Sequence, residues 1–157
     1  MPADYDLSPY IGIPFEDRNC YELFRLLYHD LFDIHLPPQP YRDATRRETK
    51  RNADLMQAEA IRWIPVPAGQ EKFGDAVLLY ISGLPSHIGF VLGQGRMIHA
   101  QQKTFSVIAN YRHDLDWRSR RKSFYRHPLR ADALGQCIAA SVPHGTRGDA
   151  ADGRTNR

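Results

Sequence analysis

The stretch that most constrains how this chain can fold is SHIGFVLGQGRMIHA, residues 86–100. Gly93-Gln94-Gly95 is a strong turn signal between two runs of alternating character, so the stretch reads as a β-hairpin. With those three residues as the loop, Leu92 faces Arg96, Phe90 faces Ile98 and Gly89 faces His99. Ile88, Phe90, Leu92 and Ile98 then line one face, which is apolar enough to be core. His87, Gly89, Val91, Met97 and His99 share the other. His87 and His99 become diagonal neighbours, about 7–8 Å apart at the backbone. Two imidazoles at that spacing can meet tip to tip, and Gly89 leaves room for them. A one-residue slip would put the histidines on opposite faces, so the pairing depends on an odd-length loop.

A second constraint lies near the N-terminus, in PFEDRNCYELFRLLYHDLF, residues 14–32. Asn19 is a good N-cap, and Glu22 three residues on completes a capping box. Cys20 is then the first residue of an amphipathic helix that carries Leu23, Phe24, Leu27 and Leu31 on the same face and is ended by LPPQP at 36–40. A helix N-terminus lowers a thiol's pKa, and a nearby imidazole can take its proton. A third polar group must hold that imidazole in the right tautomer. Cys20, His87 and His99 fit these three roles in order. On the residues alone a small apolar filler remains open for Cys20. A Cys–His–His zinc site lacks a paired spacing and a fourth ligand. The remaining histidines, His29, His35, His113, His127 and His144, read as ordinary surface residues.

The rest of the chain frames these two pieces. A second, surface helix with Thr45 and Glu48 as its capping box spans about 45–62, with Ala53, Met56 and Ala60 on its thin apolar face. Short strands follow at WIPVP (63–67), DAVLLYI (75–81), HIGFVL (87–92), MIHA (97–100) and FSVIA (105–109), with KSFYRH (122–127) as a last one. Helices first and strands afterwards predict an α+β domain. It occupies 1–128, and 129–157 is read as a flexible tail. No apolar run approaches the roughly 20 residues of a membrane helix, so no membrane partner is expected. The N-terminus lacks a secretion signal, which implies synthesis in a cytoplasm with reduced thiols. Cys20 and Cys137 are too few for a disulfide framework. A formal charge of +3 permits an anionic polymer as partner. The basic run at 112–130 reads as a solvated face and not as a nucleic-acid site.

Several motifs resemble the NlpC/p-sixty family of cell-wall cysteine peptidases, in that family's order. They are YIGIPF (10–15), NCYELFRLLY (19–28), FGDAVLLY (73–80) and the histidine hairpin. The resemblance implies a papain-like NlpC-type fold, with the nucleophile helix packed on a central antiparallel sheet. It implies Cys20 as nucleophile, His87 as general base and His99 as the orienting residue. Phe15, Asn19, Tyr21 and Ser86 fall in its oxyanion or substrate-binding region. It implies no metal and no organic cofactor. The substrate would be the peptidoglycan stem peptide, cut between D-glutamate and diaminopimelate. The segment SFYRHP (123–128) is similar to proteins of phage tail clusters, which implies tail-tip partners and action at the cell wall from a virion. The departures are Asn19-Cys20-Tyr21-Glu22 at the nucleophile, a shortened Glu16-Asp17-Arg18 loop, and Phe15 where many members carry a hydrogen-bonding tyrosine. They leave two alternatives: a non-catalytic wall-binding tail protein, and a thiol enzyme for another amide or ester.

Overall fold

The computed structural model describes residues 5–40 and 46–131. The Thr45–Glu48 capping box, Cys137, His144 and the tail beyond Ala131 lie outside the described residues. Two helices, α1 (Cys20–Phe32) and α2 (Arg46–Ala60), precede six strands. These are β1 (Ile64–Val66), β2 (Ala76–Ile81), β3 (Leu84–Gly93), β4 (Arg96–Ala100), β5 (Ser106–Asn110) and β6 (Lys122–Arg126). They form one antiparallel sheet in the order β1-β6-β2-β3-β4-β5. This is the α+β architecture that helices-then-strands predicts. Among the described residues, no helix is long and apolar enough to cross a membrane.

The helix α1 begins as its cap dictates. The Asn19 side chain accepts a hydrogen bond from the Glu22 N–H at 2.9 Å. The Glu22 carboxylate reaches Arg18 and Arg25 at 3.6 and 3.7 Å. The helix ends before LPPQP. Asp33 is left-handed (φ 53°), and the N–H groups of Asp33 and Ile34 close on the carbonyls of His29 and Tyr28. The proline strap instead runs back along the helix, where Pro37 O accepts from the Tyr21 hydroxyl at 2.6 Å and Leu36 O from Arg25 at 2.9 Å.

Leu23, Phe24, Leu27 and Tyr28 of α1 are buried against Ala76, Leu78, Ile88, Phe90, Ile98 and Ala100 of the sheet. Each such side chain contributes roughly 1.5–3 kcal/mol of burial. Ala53 and Met56 of α2 are buried as well. The opposite face of the sheet is a second core of Val77, Leu79, Val91, Met97, Ala109, Tyr111 and Phe124, with Trp117 packed against it. The connection between β5 and β6 covers this face, a feature absent from the hairpin pattern.

The hairpin differs from expectation at its tip. Gly93, not Leu92, faces Arg96, so the turn has two residues, Gln94 (φ 56°) and Gly95 (φ 76°). Both sit in the left-handed region, as a tight hairpin turn requires. Leu92 is a bulge residue, and it absorbs the difference of one. Below it Val91 pairs with Met97 and Phe90 with Ile98, so the two histidines keep a common face. The space beside Gly89 is used differently too. A Cβ there would lie 2.6 Å from Met97 Sδ and 3.1 Å from Val77. That glycine makes room for core packing, not for the imidazoles.

Two further features correct the sequence reading. Residues 128–131 form a helical turn, and Arg130 donates to Phe73 O at 2.9 Å and lies over the Phe32 ring at 3.8 Å. The packed unit therefore continues past residue 128. His127 is half-buried, and packs edge-on against Trp63 at 4.9 Å.

Candidate active site

Three segments converge on the start of α1. The first is the approach to Cys20. Gly12 N–H donates to Ser106 O, Ser106 N–H to Ile13 O and Phe15 N–H to Thr104 O, so residues 12–15 lie along the edge beside β5. The buried Ser106 hydroxyl adds a bond to Tyr10 O at 2.6 Å and accepts from Ile13 N–H at 2.9 Å. The second is β3. Leu79 pairs with His87 but Tyr80 with Pro85, so Ser86 is a bulge residue directly before His87. Bulges of this kind re-aim the side chains beside them. The third is β4, which carries His99.

The structure brings the two histidines together as the diagonal spacing predicts. His87 Nε2 and His99 Nδ1 are 2.8 Å apart. The rings meet edge to face, with centroids 4.9 Å apart and planes at 90°. His99 is 1% exposed. Cys20, half-buried, packs against the helix-side core. The main-chain amides of Ile88, the residue after His87, of Tyr21 and of Cys20 itself act on its thiol and favour the thiolate. Among the described residues no hydrogen bond joins Cys20 to His87 directly. Because His87 Nε2 is occupied by His99, Nδ1 is the ring atom left for the thiol.

The electrostatics correct one expectation. Burial pushes the Cys20 thiol above its ordinary value, and the three N–H groups only partly offset it. Desolvation of the thiolate outweighs the amides at the start of the helix. His87 is pushed down to about 3, chiefly by burial, then by His99 and Arg120. His99 is pushed down to about 4 by burial, against the opposing pull of Asp114. At neutral pH the site therefore rests as a neutral thiol and two neutral imidazoles.

The tautomers follow from the one bond. If His87 Nδ1 is to accept a proton, Nε2 must carry the hydrogen and donate it to His99 Nδ1. His99 then bears its own hydrogen on Nε2, which is buried without a hydrogen-bond partner among the described residues.

The other candidate residues take supporting positions. Asn19 is the helix cap. Tyr21 is buried with its hydroxyl on Pro37 O, so it braces α1. Phe15 is half-buried against the helix-side core. The Ser86 hydroxyl donates to Leu84 O at 2.9 Å. Trp117, which the hairpin and helix patterns do not flag, stacks on His87 at 5.2 Å and 17° and meets His99 edge to face at 5.0 Å and 84°. Its signal was available only as an aromatic inside a basic run. Among the described residues no group of three His, Cys, Asp or Glu side chains is arranged to hold a metal.

A helix that opens on cysteine, packed on an antiparallel sheet with paired histidines, defines a papain-like α+β protein. Comparison with known families specifies it further: the pattern of the NlpC/P60 family matches residues 10–126. The chain belongs to the NlpC/P60 family, whose members are cysteine peptidases acting on peptidoglycan. Among solved structures it is similar to the NlpC/p60 domain of the peptidoglycan hydrolase SagA, at 19% identity. The match covers 73% of this chain and 88% of that one, with a TM-score of 0.49. No curated protein matches the chain.

Proposed function

We propose that this chain is a thiol endopeptidase of the peptidoglycan stem peptide, cutting the amide between D-glutamate and diaminopimelate. The observation that carries the reading is the His87–His99 bond of 2.8 Å, on strands whose Ile88 and Ile98 belong to the core that Cys20 packs against. His87 Nδ1 takes the thiol proton as Cys20 attacks the amide carbonyl. The oxyanion that develops faces the Cys20 N–H at the positive end of α1. Protonated His87 then gives its proton to the leaving amine, and the C–N bond breaks to leave a thioester. Water, deprotonated by His87, hydrolyses the thioester and restores the thiol. His99 accepts from His87 Nε2 throughout and fixes its ring.

The chain's setting belongs to the same proposal. A component of a phage or prophage tail, made in a cytoplasm and carried to the wall by the particle, would open the wall locally during genome delivery.

The test is a digest of purified sacculi with the wild type and with Cys20→Ala, the released fragments being read by mass spectrometry. Fragments ending in D-glutamate, produced by the wild type alone, support the reading. No fragments from a folded wild type that sediments with the sacculi would overturn it in favour of a wall-binding tail protein. The raised thiol and the missing direct Cys20–His87 bond are what favour that second reading.

A further inference from the structure

We propose that Trp117 is a positioning residue for this site, whose indole plane sets the rotation of the His87 ring and so the aim of its Nδ1. The proposal rests on the reading of His87 as the base for Cys20.

A single hydrogen bond fixes one atom of a ring, not its plane. With Nε2 held by His99, the His87 imidazole can still roll about the line joining the two nitrogens, and its terminal torsion is intrinsically broad. Rolling would swing Nδ1 away from the thiol. A flat partner lying nearly parallel to the ring removes that freedom. Trp117 is such a partner, and three pairwise ring contacts lock the set: His87 on Trp117 at 17°, His99 on Trp117 at 84° and His87 on His99 at 90°.

The indole is itself anchored. The main-chain N–H of Trp117 donates to Asp114 O at 3.1 Å, which fixes the backbone that carries the indole. The Lys122 ammonium donates to the carbonyls of Trp117 and Arg120, both at 2.8 Å. Arg120 donates to Asp116 O at 2.8 Å and lays its guanidinium over the indole at 4.8 Å. The connection between β5 and β6 thus acts as a brace that delivers one flat surface to the imidazoles.

The groups facing His87 come from every side of it. Apolar Leu79 is opposite on β2 and His99 lies on β4, while Cys20, at the start of α1, is the group whose proton the proposed mechanism gives to His87. Trp117 and Arg120 come from the brace, and Asp114 of the same segment acts on His99. Among the described residues the fixed charge acting on His87 is Arg120, which opposes its protonation.

The experiment follows the His87 ring by NMR titration in the full chain, with the iodoacetamide rate of Cys20 read by peptide mapping. The proteins are the wild type, Trp117→Phe, Trp117→Leu and Arg120→Gln. Trp117→Phe keeps a plane and should stay close to the wild type. Trp117→Leu keeps apolar bulk without a plane. It should raise the His87 titration toward 6.5, slow Cys20 alkylation at pH 7, and lower sacculus digestion roughly 10²-fold with little change in KM. Arg120→Gln should raise the titration while leaving alkylation at pH 7 unchanged. A folded Trp117→Leu with an unchanged His87 titration and Cys20 rate would overturn the proposal.

The wild type alone supplies a check if Trp117→Leu does not fold. Ring protons of His87 lying over an indole resonate upfield, and ordinary shifts there would overturn the proposal equally. A wild type that digests no wall but keeps these alkylation and titration responses would overturn the peptidase reading and leave the brace standing.

Discussion

The two imidazoles make stability depend on pH in a way that can be worked out. Their ordinary value is 6.5, and in the folded chain they are held at about 3 for His87 and about 4 for His99. A depressed pKa means that the unfolded chain binds the proton more readily, so this stability is fully present above pH 6.5 and is lost as pH falls toward the folded values. Each ring contributes a slope of about 1.4 kcal/mol per pH unit in that window. Part of the His87 shift is repulsion from His99 and counts once for the pair. From pH 6.5 to 4.5 the pair should therefore lose roughly 4 kcal/mol, a large share of the about 5–15 kcal/mol that holds a domain together.

The assay is urea unfolding at pH 7, 5.5 and 4.5 for the wild type and the double variant His87→Gln, His99→Gln. The depressed carboxylates, such as Glu71 beside Tyr111 and Arg112, are common to both proteins and cancel in the difference. The wild type should lose stability more steeply by about the amount above. Parallel curves would refute the reasoning, because they would mean the folded imidazoles titrate as in water. Wall digestion should fall with the unfolding midpoint, not with a separate imidazole titration near 6.5.

Three further substitutions test the frame. Asp75→Asn should cost about 3 kcal/mol in urea unfolding, because it leaves half-buried Arg126 without the paired bonds of 2.9 and 2.8 Å that it makes to that carboxylate. Asn19→Ala should cost about 1 kcal/mol in the same assay, and the loss should persist in a Cys20→Ala background, which separates the cap from the thiol. Gly89→Ala should cost about 1–3 kcal/mol through overpacking, and trimming Met97 to Val should recover part of it in a thermal melt, since Met97 Sδ is what the new methyl meets.

What the sequence could show depended on whether a feature is local. The Asn19 cap and the apolar spacing after Cys20 are nearest-neighbour properties, and α1 begins where they say. The histidine pairing was legible because a hairpin converts sequence distance into a diagonal contact. It survived a wrong turn length only because the bulge at Leu92 restored the register. The basic run at 112–130 is largely exposed, as read, but charge alone did not reveal its partners. Arg112 pairs with Glu71, Arg126 with buried Asp75, and Lys122 caps main-chain carbonyls. The brace over His87 was illegible for the same reason. Trp117 lies 18 residues from His99 along the chain, and no periodicity links them.

The same non-local packing bears on how the nucleophile would be made. A helix N-terminus and a nearby imidazole suggest, from sequence, a thiol that is ionised at rest or shares its proton readily. In the fold, both groups are withdrawn from water, which penalises the thiolate and the imidazolium alike. A standing ion pair would require charging two desolvated groups with no direct bond between them. Under the proposed mechanism the proton therefore moves only as the carbonyl is attacked, when the oxyanion and the first turn of α1 share the new charge. Iodoacetamide distinguishes the two cases. A resting thiolate would alkylate at a rate nearly independent of pH through neutrality. A neutral pair gives a rate that rises with pH, and His87→Ala should depress it further at pH 7, because the raised thiol then loses the base the mechanism assigns it.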